Sequence, residues 1–259
     1  MYDYHVHSNY SDGRFLPRMS FAAQAAGLDG VGFADHCNVS ERDDPQSFKE
    51  LFGFNLDQTY ERRRRAIEHV REEADIEVYD AVEMDYDERD KNRIRAFLDV
   101  ANFDYAIGSV HTVGEYNVQS PAQFESLSEG ELDEFVDDYY DALCSLAESE
   151  LFDIAAHPDL LERTEPFRGR ATIDHYDRAA KAFADSRTVP EINAGRAVGE
   201  DSFVHPAPDF LDCLREYDVD VTIGTDSHRP HEIGERVEFL DSFLAERGIE
   251  TVSPPSLVD

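Results

Sequence analysis

Seven times along the chain a short run of β-branched and aromatic residues gives way to a longer stretch of helical period, and no other feature narrows the choice of fold as much. The short runs, at 4–7, 30–34, 77–83, 105–110, 153–156, 189–193 and 221–225, read as strands. The stretches that separate and follow them, at 17–26, 58–73, 87–101, 129–149, 173–185, 208–217 and 231–247, carry apolar residues at helical spacing. Strand then helix, repeated, predicts a parallel sheet with right-handed crossovers, either an α/β barrel or a doubly wound sheet. With 259 residues, no low-complexity linker and no break in composition, a single domain over 1–259 is expected. The connections at 37–57 and 112–128 are longer than usual, as functional loops are.

Folds of this kind place their sites at the carboxyl ends of the strands. Read in order, those ends carry His5-Val6-His7, Asp35-His36, Glu83, Ser109-Val110-His111, Ala156-His157, Glu191-Ile192-Asn193 and Asp226-Ser227-His228. In His5-x-His7 the period of two sends Val6 to one face of the strand and both imidazoles to the other. Asp226-x-His228 repeats that spacing at the far end of the chain. Taken singly, each is weak: a histidine is often just a half-buried, hydrogen-bonded residue, and Glu83 alone reads equally well as a surface carboxylate. Chance, however, does not put six of ten histidines at successive strand ends. Of the other four, His69 and His175 fall on helices and read as ordinary surface residues, His205 sits in a loop before Pro206, and His231 begins a helix.

Imidazole and carboxylate donors without thiolate suit Zn, Mn or Fe. His5, His7, His36, His111, His157 and His228, with Asp12, Glu83 and Asp226, make nine ligands. That is too many for one divalent ion and enough for two or three, and Glu83, near the middle of the set, is the natural bridge.

Charge sets the surroundings. The chain carries 24 basic and 57 acidic residues, a net charge of −33, and only three of its cations are lysines. Self-repulsion on that scale is tolerated where salt screens it, the Debye length falling to about 3 Å at 1 M. A halophilic, salt-rich cytoplasm is the expected setting, and a merely acidic mesophilic protein is the alternative. Strong nucleic-acid binding is not expected, because phosphate-backbone affinity comes from clustered Lys and Arg. The one basic run, Arg62 to Arg65, lies on a predicted helix beside Glu61 and Glu68 and reads as a solvated, salt-bridged face. No apolar run approaches the roughly 18–20 residues of a membrane span, and the N-terminus is polar from its third residue, so neither span nor signal peptide is expected. Three scattered cysteines, Cys37, Cys144 and Cys213, form neither a disulfide framework nor a thiolate zinc site, which fits a reduced cytoplasm.

The motifs resemble those of the polymerase and histidinol phosphatase (PHP) superfamily. His5-Val6-His7-Ser8-Asn9-Tyr10-Ser11-Asp12-Gly13 is similar to its first motif, Phe33-Ala34-Asp35-His36 to its second, Gly108-Ser109-Val110-His111 to its third and Gly224-Thr225-Asp226-Ser227-His228 to its last. Val82-Glu83 and Ala156-His157-Pro158-Asp159 complete the set, so the resemblance runs from residue 5 to residue 228. It implies an α/β fold, a distorted (β/α)7 TIM-like barrel with a trinuclear metal site at the C-terminal ends of the strands. By the same resemblance His5, His7, Glu83 and Asp226 hold a first ion, and Glu83, His111 and His157 a second. Asp12, His36 and His228 then hold a third; some relatives have histidine at the position of Asp12.

Within the superfamily the resemblance is closest to stand-alone histidinol-phosphatases. It is carried by Glu191-Ile192-Asn193-Ala194-Gly195-Arg196, by Asp159-Leu160-Leu161-Glu162-Arg163 and by the stretch from His205 to Leu211. The implied reaction is hydrolysis of L-histidinol phosphate to L-histidinol in histidine biosynthesis; the alternative substrate is another small phosphate, a nucleotide or an oligonucleotide end. A phosphate monoester is a dianion, and paired cations neutralise its oxygens and activate water near neutral pH. Glu83, Asp226 and His228 are the expected catalytic residues, and Arg163 and Arg196 the expected bidentate phosphate contacts. The loop 37–57 is expected to help choose the leaving group. A non-catalytic accessory module is the reading from another class, and the complete ligand set stands against it.

Overall fold

The computed structural model describes residues 1–199 and 202–258. All seven predicted strands form: β1 (Tyr2–Val6), β2 (Gly30–Cys37), β3 (Glu77–Asp85), β4 (Tyr105–Ser109), β5 (Ile154–Ala155), β6 (Val189–Arg196) and β7 (Thr222–Gly224). They lie side by side in chain order, every neighbouring pair parallel. Beyond β7 the ring closes on β1, where His7 N donates to Ser227 O at 3.0 Å and Asp226 N to His5 O at 2.7 Å. The closure rests on this short parallel bridge rather than a full ladder, and β5 is only two residues long, so the barrel is distorted.

The helices are α1 (Leu16–Ala25), α2 (Asp43–Phe52), α3 (Tyr60–Glu73), α4 (Lys91–Ala101), α5 (Glu129–Glu148), α6 (Ile173–Ala184), α7 (Pro208–Glu216) and α8 (Pro230–Arg247). Seven of these match predicted helices to within a few residues. The eighth, α2, lies inside the stretch 37–57 that reads as loop, because polar Asp43-Asp44-Pro45 hides its start. A hairpin pairing Thr112–Val113 with Tyr116–Asn117, and a strand Phe203–His205 antiparallel to β6, were also not predicted. Runs of two or three residues carry too little periodicity to be seen.

Inside the barrel, Tyr4, Ala34, Ala81, Tyr105, Ile107, Ile154 and Ala156 form a buried plug below the strand ends. Tyr105 donates to Tyr4 O at 2.6 Å, and its hydroxyl occupies the space that a side chain at Gly32 would fill. Period two along β3 carries this inner face upward from Ala81 to Glu83. In β1 a register shift between Asp3 and Val6 resets the phase, so Tyr4 joins the plug while His5 and His7 point inward above it and Val6 packs outward with α1.

Two surface readings are corrected here. The run Arg62–Arg65 is not one solvated face: successive helical residues turn by about 100°, so one of the four must face inward. That residue is Arg63, fully buried, donating to Asp35 at 2.9 Å and Asp80 at 2.6 Å, while Arg64 Nε meets Asp80 at 2.7 Å. His175 is not an ordinary surface residue either. Its ring pairs with Asp137 at 2.8 Å, stacks on Tyr140 and accepts from the backbone N–H of Thr172 at the start of α6. His69 is exposed as expected. Among the described residues no helix is long and apolar enough to cross a membrane.

Candidate metal centre

At the upper rim of the barrel the structure brings all nine predicted ligands into one cluster around Glu83, which is 1% exposed. Glu83 Oε1 accepts from Ser109 Oγ and lies 3.1 Å from His157 Nε2 and 3.5 Å from His111 Nε2. Its Oε2 faces His36 Nδ1 at 2.8 Å, His5 Nε2 at 3.4 Å and His7 Nε2 at 3.5 Å, yet takes part in no hydrogen bond. Asp226 Oδ1 lies 3.3 Å from His7 Nε2, and Asp12 Oδ1 lies 3.2 Å from His228 Nε2 and 3.7 Å from His36 Nε2.

These contacts fit cations better than protons. Burying a carboxylate oxygen without a hydrogen bond is costly, and a coordinated ion removes that cost. The Nε2 atoms of His5 and His7 face each other at 3.1 Å, while His5 Nδ1 is engaged by Glu191 Oε1 at 2.9 Å. Three groups each offer ligand atoms within 4.8 Å of one another: His7, Asp12, His36 and His228; His5, His7 and Glu83; and His36, Glu83 and His111. His7 and His36 each stand in two groups, whereas the resemblance assigns each to a single ion.

Electrostatics follow the crowding. Burial alone would raise the pKa of Glu83, but the imidazoles of His36, His5 and His111 outweigh it and hold the carboxyl well below its usual range. Asp226 is held low in the same way by His7, His5 and His228. Burial, reinforced by His228 and His36, lowers His7 to about 4, which leaves a neutral ring suited to coordination. His36 goes the other way: against the burial penalty, the charge of Glu83 pushes it up to about 10.

A second ring of side chains fixes the first, and composition alone did not reveal it. Glu191 orients His5, Asp85 holds His111 Nδ1 at 2.6 Å, and Ser11 Oγ stands 3.4 Å from His7 Nδ1. Asp35, beside His36 in sequence, turns away from the cluster and accepts from Ser8 N, Ser8 Oγ and Ser11 Oγ, each at 2.7 Å, pinning the loop that carries Asp12. Two of the expected ligands, His157 (φ 29°) and Asp226 (φ 51°), hold left-handed backbone conformations. Such strain in non-glycine residues is kept where surrounding structure over-determines it.

The cluster opens into a cavity of about 460 Å³ whose floor includes Glu83, Asp226 and His228 and whose walls carry Arg14, Arg163, Arg196, Arg229 and Arg236. Of the two expected phosphate contacts, Arg163 is the anchored one. Its Nε donates to His205 Nε2 at 2.6 Å and its Nη2 to Asn193 Oδ1 at 3.2 Å, with Asp226 Oδ2 at 3.6 Å. His205 is therefore not a loop residue but a fully buried strand residue, held through Nδ1 by Asp159. Burial pushes Asp159 up to about 7. Arg196 is exposed on the rim. No residue of 37–57 lines this cavity, so the expectation that this loop meets the leaving group is not met; Gln119, from the other long connection, does line it.

The PHP domain profile matches residues 3–195. The probable histidinol-phosphatase of Deinococcus radiodurans is 26% identical over 241 residues, covering 90% of this chain and 87% of that protein. The histidinol-phosphatase of Lactococcus lactis is 27% identical over 237 residues, covering 87% and 83%. Among solved structures, the Lactococcus lactis histidinol phosphate phosphatase complexed with zinc, L-histidinol and phosphate superposes with a TM-score of 0.73 at 22% identity, over 98% of this chain and 95% of that one. A putative histidinol phosphatase from Listeria monocytogenes gives 0.77 at 16% identity, over 90% and 97%. Those two likenesses establish the distorted barrel as the shared fold.

Proposed function

The chain belongs to the PHP domain family, and from that premise we propose that it is a metal-dependent phosphate monoester hydrolase, one domain over 1–259, acting on L-histidinol phosphate. The observation that carries the chemistry is the gathering of six imidazoles and two further carboxylates around Glu83 beneath a cavity walled by arginines. The substrate name is supported by two relatives called histidinol-phosphatase that span most of the chain. A structural neighbour that binds zinc, L-histidinol and phosphate supports it too.

In this reading His5, His7, Asp12, His36, Glu83, His111, His157, Asp226 and His228 hold two or three divalent ions, Zn, Mn or Fe. When bound, such ions neutralise the phosphate oxygens and supply an activated water at neutral pH. The chain's own residues do the rest. Glu83 stands between the imidazole groups and keeps them in one arrangement. Arg163, locked by His205 and Asn193, presents its guanidinium to the cavity beside Asp226, and Arg196, which lines the same cavity, is a second phosphate contact. His228 serves as ligand rather than proton donor: its Nδ1 lies 3.0 Å from Asp226 O and carries the ring proton, which leaves Nε2, beside Asp12, for coordination. The net charge of −33 supports a salt-rich cytoplasm as the setting and leaves these few arginines to capture the anion.

The test is steady-state phosphate release in high salt from L-histidinol phosphate, an aryl phosphate, a mononucleotide and a short 5′-phosphorylated oligonucleotide. The expected result is a kcat/KM for L-histidinol phosphate about a hundredfold above the others, about 2.7 kcal/mol of transition-state discrimination. A flat or nucleotide-biased profile removes the substrate name and leaves a phosphatase of another small ester.

A further inference from the structure

Beside the metal cavity lies a second one, of about 520 Å³, lined by Arg14, Phe15, Arg18, Arg229, Pro230 and His231. It forms where the loop after β1 meets the start of α8, and it shares Arg14 and Arg229 with the metal cavity, so the two are contiguous. Its lining contains no acid, in a chain where acids outnumber bases 57 to 24. Many arginines elsewhere are matched: Arg42 pairs with Asp87 and Asp90, Arg89 with Asp87, and Arg170 with Glu129 and Asp133. Arg14, Arg18 and Arg229 have no ion pair among the described residues. Phe15 is 62% exposed, with the Arg18 guanidinium 5.8 Å from its ring centroid.

We infer that this second cavity binds a second anionic group of a phosphate monoester, a carboxylate or phosphate joined to the reacting phosphate through an aromatic spacer. Three unmatched guanidinium groups supply charge-assisted donors for the anion, and Phe15 and Pro230 supply an apolar bed for the ring. L-Histidinol phosphate does not use it, since that molecule has no second anionic group: an ammonium stands two carbons from the ester oxygen and an imidazole forms its far end. The cavity thus selects a second class of ester. The inference rests on hydrolysis of phosphate monoesters at the metal centre.

Phenyl phosphate and its 3- and 4-carboxylated forms separate the two ideas, because phenyl phosphate reports the metal centre alone. At constant ionic strength, at least one carboxylated ester is expected to exceed phenyl phosphate by about tenfold in kcat/KM, mostly through KM. Arg18, which lines only the second cavity, is the residue to change. Arg18→Glu should abolish the preference and leave phenyl phosphate turnover within about twofold. Arg62→Glu, the same charge change on the exposed face of α3, should leave the preference intact. Equal kcat/KM for all three esters overturns the inference, as does a preference that Arg62→Glu reduces as much as Arg18→Glu. If none of the three esters is hydrolysed while L-histidinol phosphate is, this inference falls alone; if L-histidinol phosphate is not hydrolysed either, the phosphatase reading falls with it.

Discussion

Glu83→Gln is expected to lower kcat by about a thousandfold or more and to reduce bound metal, as counted by inductively coupled plasma mass spectrometry. The substitution keeps the shape of the side chain and removes its charge. Five imidazoles direct ring nitrogens at the two carboxylate oxygens within 3.5 Å, and one of those oxygens has no hydrogen bond. An amide offers one acceptor oxygen and an NH2 group that repels cations, so it cannot serve both sides of the cluster. Turnover at the parental level, with full metal content, would show that Glu83 does not join the ions.

The second large effect concerns stability. Arg63→Met should destabilise the fold by about 3–5 kcal/mol, because it leaves Asp35 buried without a cation and Asp80 with Arg64 alone. The loss is read from urea unfolding at fixed salt. It should propagate to the site, since Asp35 also ties down Ser8 and Ser11 in the loop that delivers Asp12. Replacing the charged trio together, as Arg63→Met with Asp35→Asn and Asp80→Asn, should recover part of the loss. A cost under about 1 kcal/mol for the single variant would mean that the buried trio contributes little to stability.

Much of this site was legible in the sequence, for a physical reason. A parallel barrel brings every strand end to one rim, so residues far apart in sequence, such as His5 and Asp226, become neighbours as soon as the strands are placed. Period two then fixes the direction of His5 and His7, and the count of imidazoles and carboxylates points to the ions. Partners that depend on depth or on rotation about a helix were not legible. Arg63 lies in a uniform run of four arginines, and only the angle of α3 against the barrel decides which one goes inside. Glu191 was visible at its strand end, but its role as a support for His5 came from a contact spanning 186 residues. His205 read as a loop residue because a three-residue strand has no period to detect. Arg14, Arg229 and Arg236 carry no motif, and their place on the cavity wall follows from how the loop after β1 and the start of α8 come together.

The measurement that bears most directly on the account is a metal titration of activity. Protein stripped with a chelator and dialysed into high salt is supplied with Mn²⁺ or Zn²⁺ in steps, and phosphate release from phenyl phosphate is followed at each step. The account predicts no turnover before metal is added and a rise that completes only at about two or three ions per chain. Full turnover in the stripped protein, or saturation at a single ion, would contradict it.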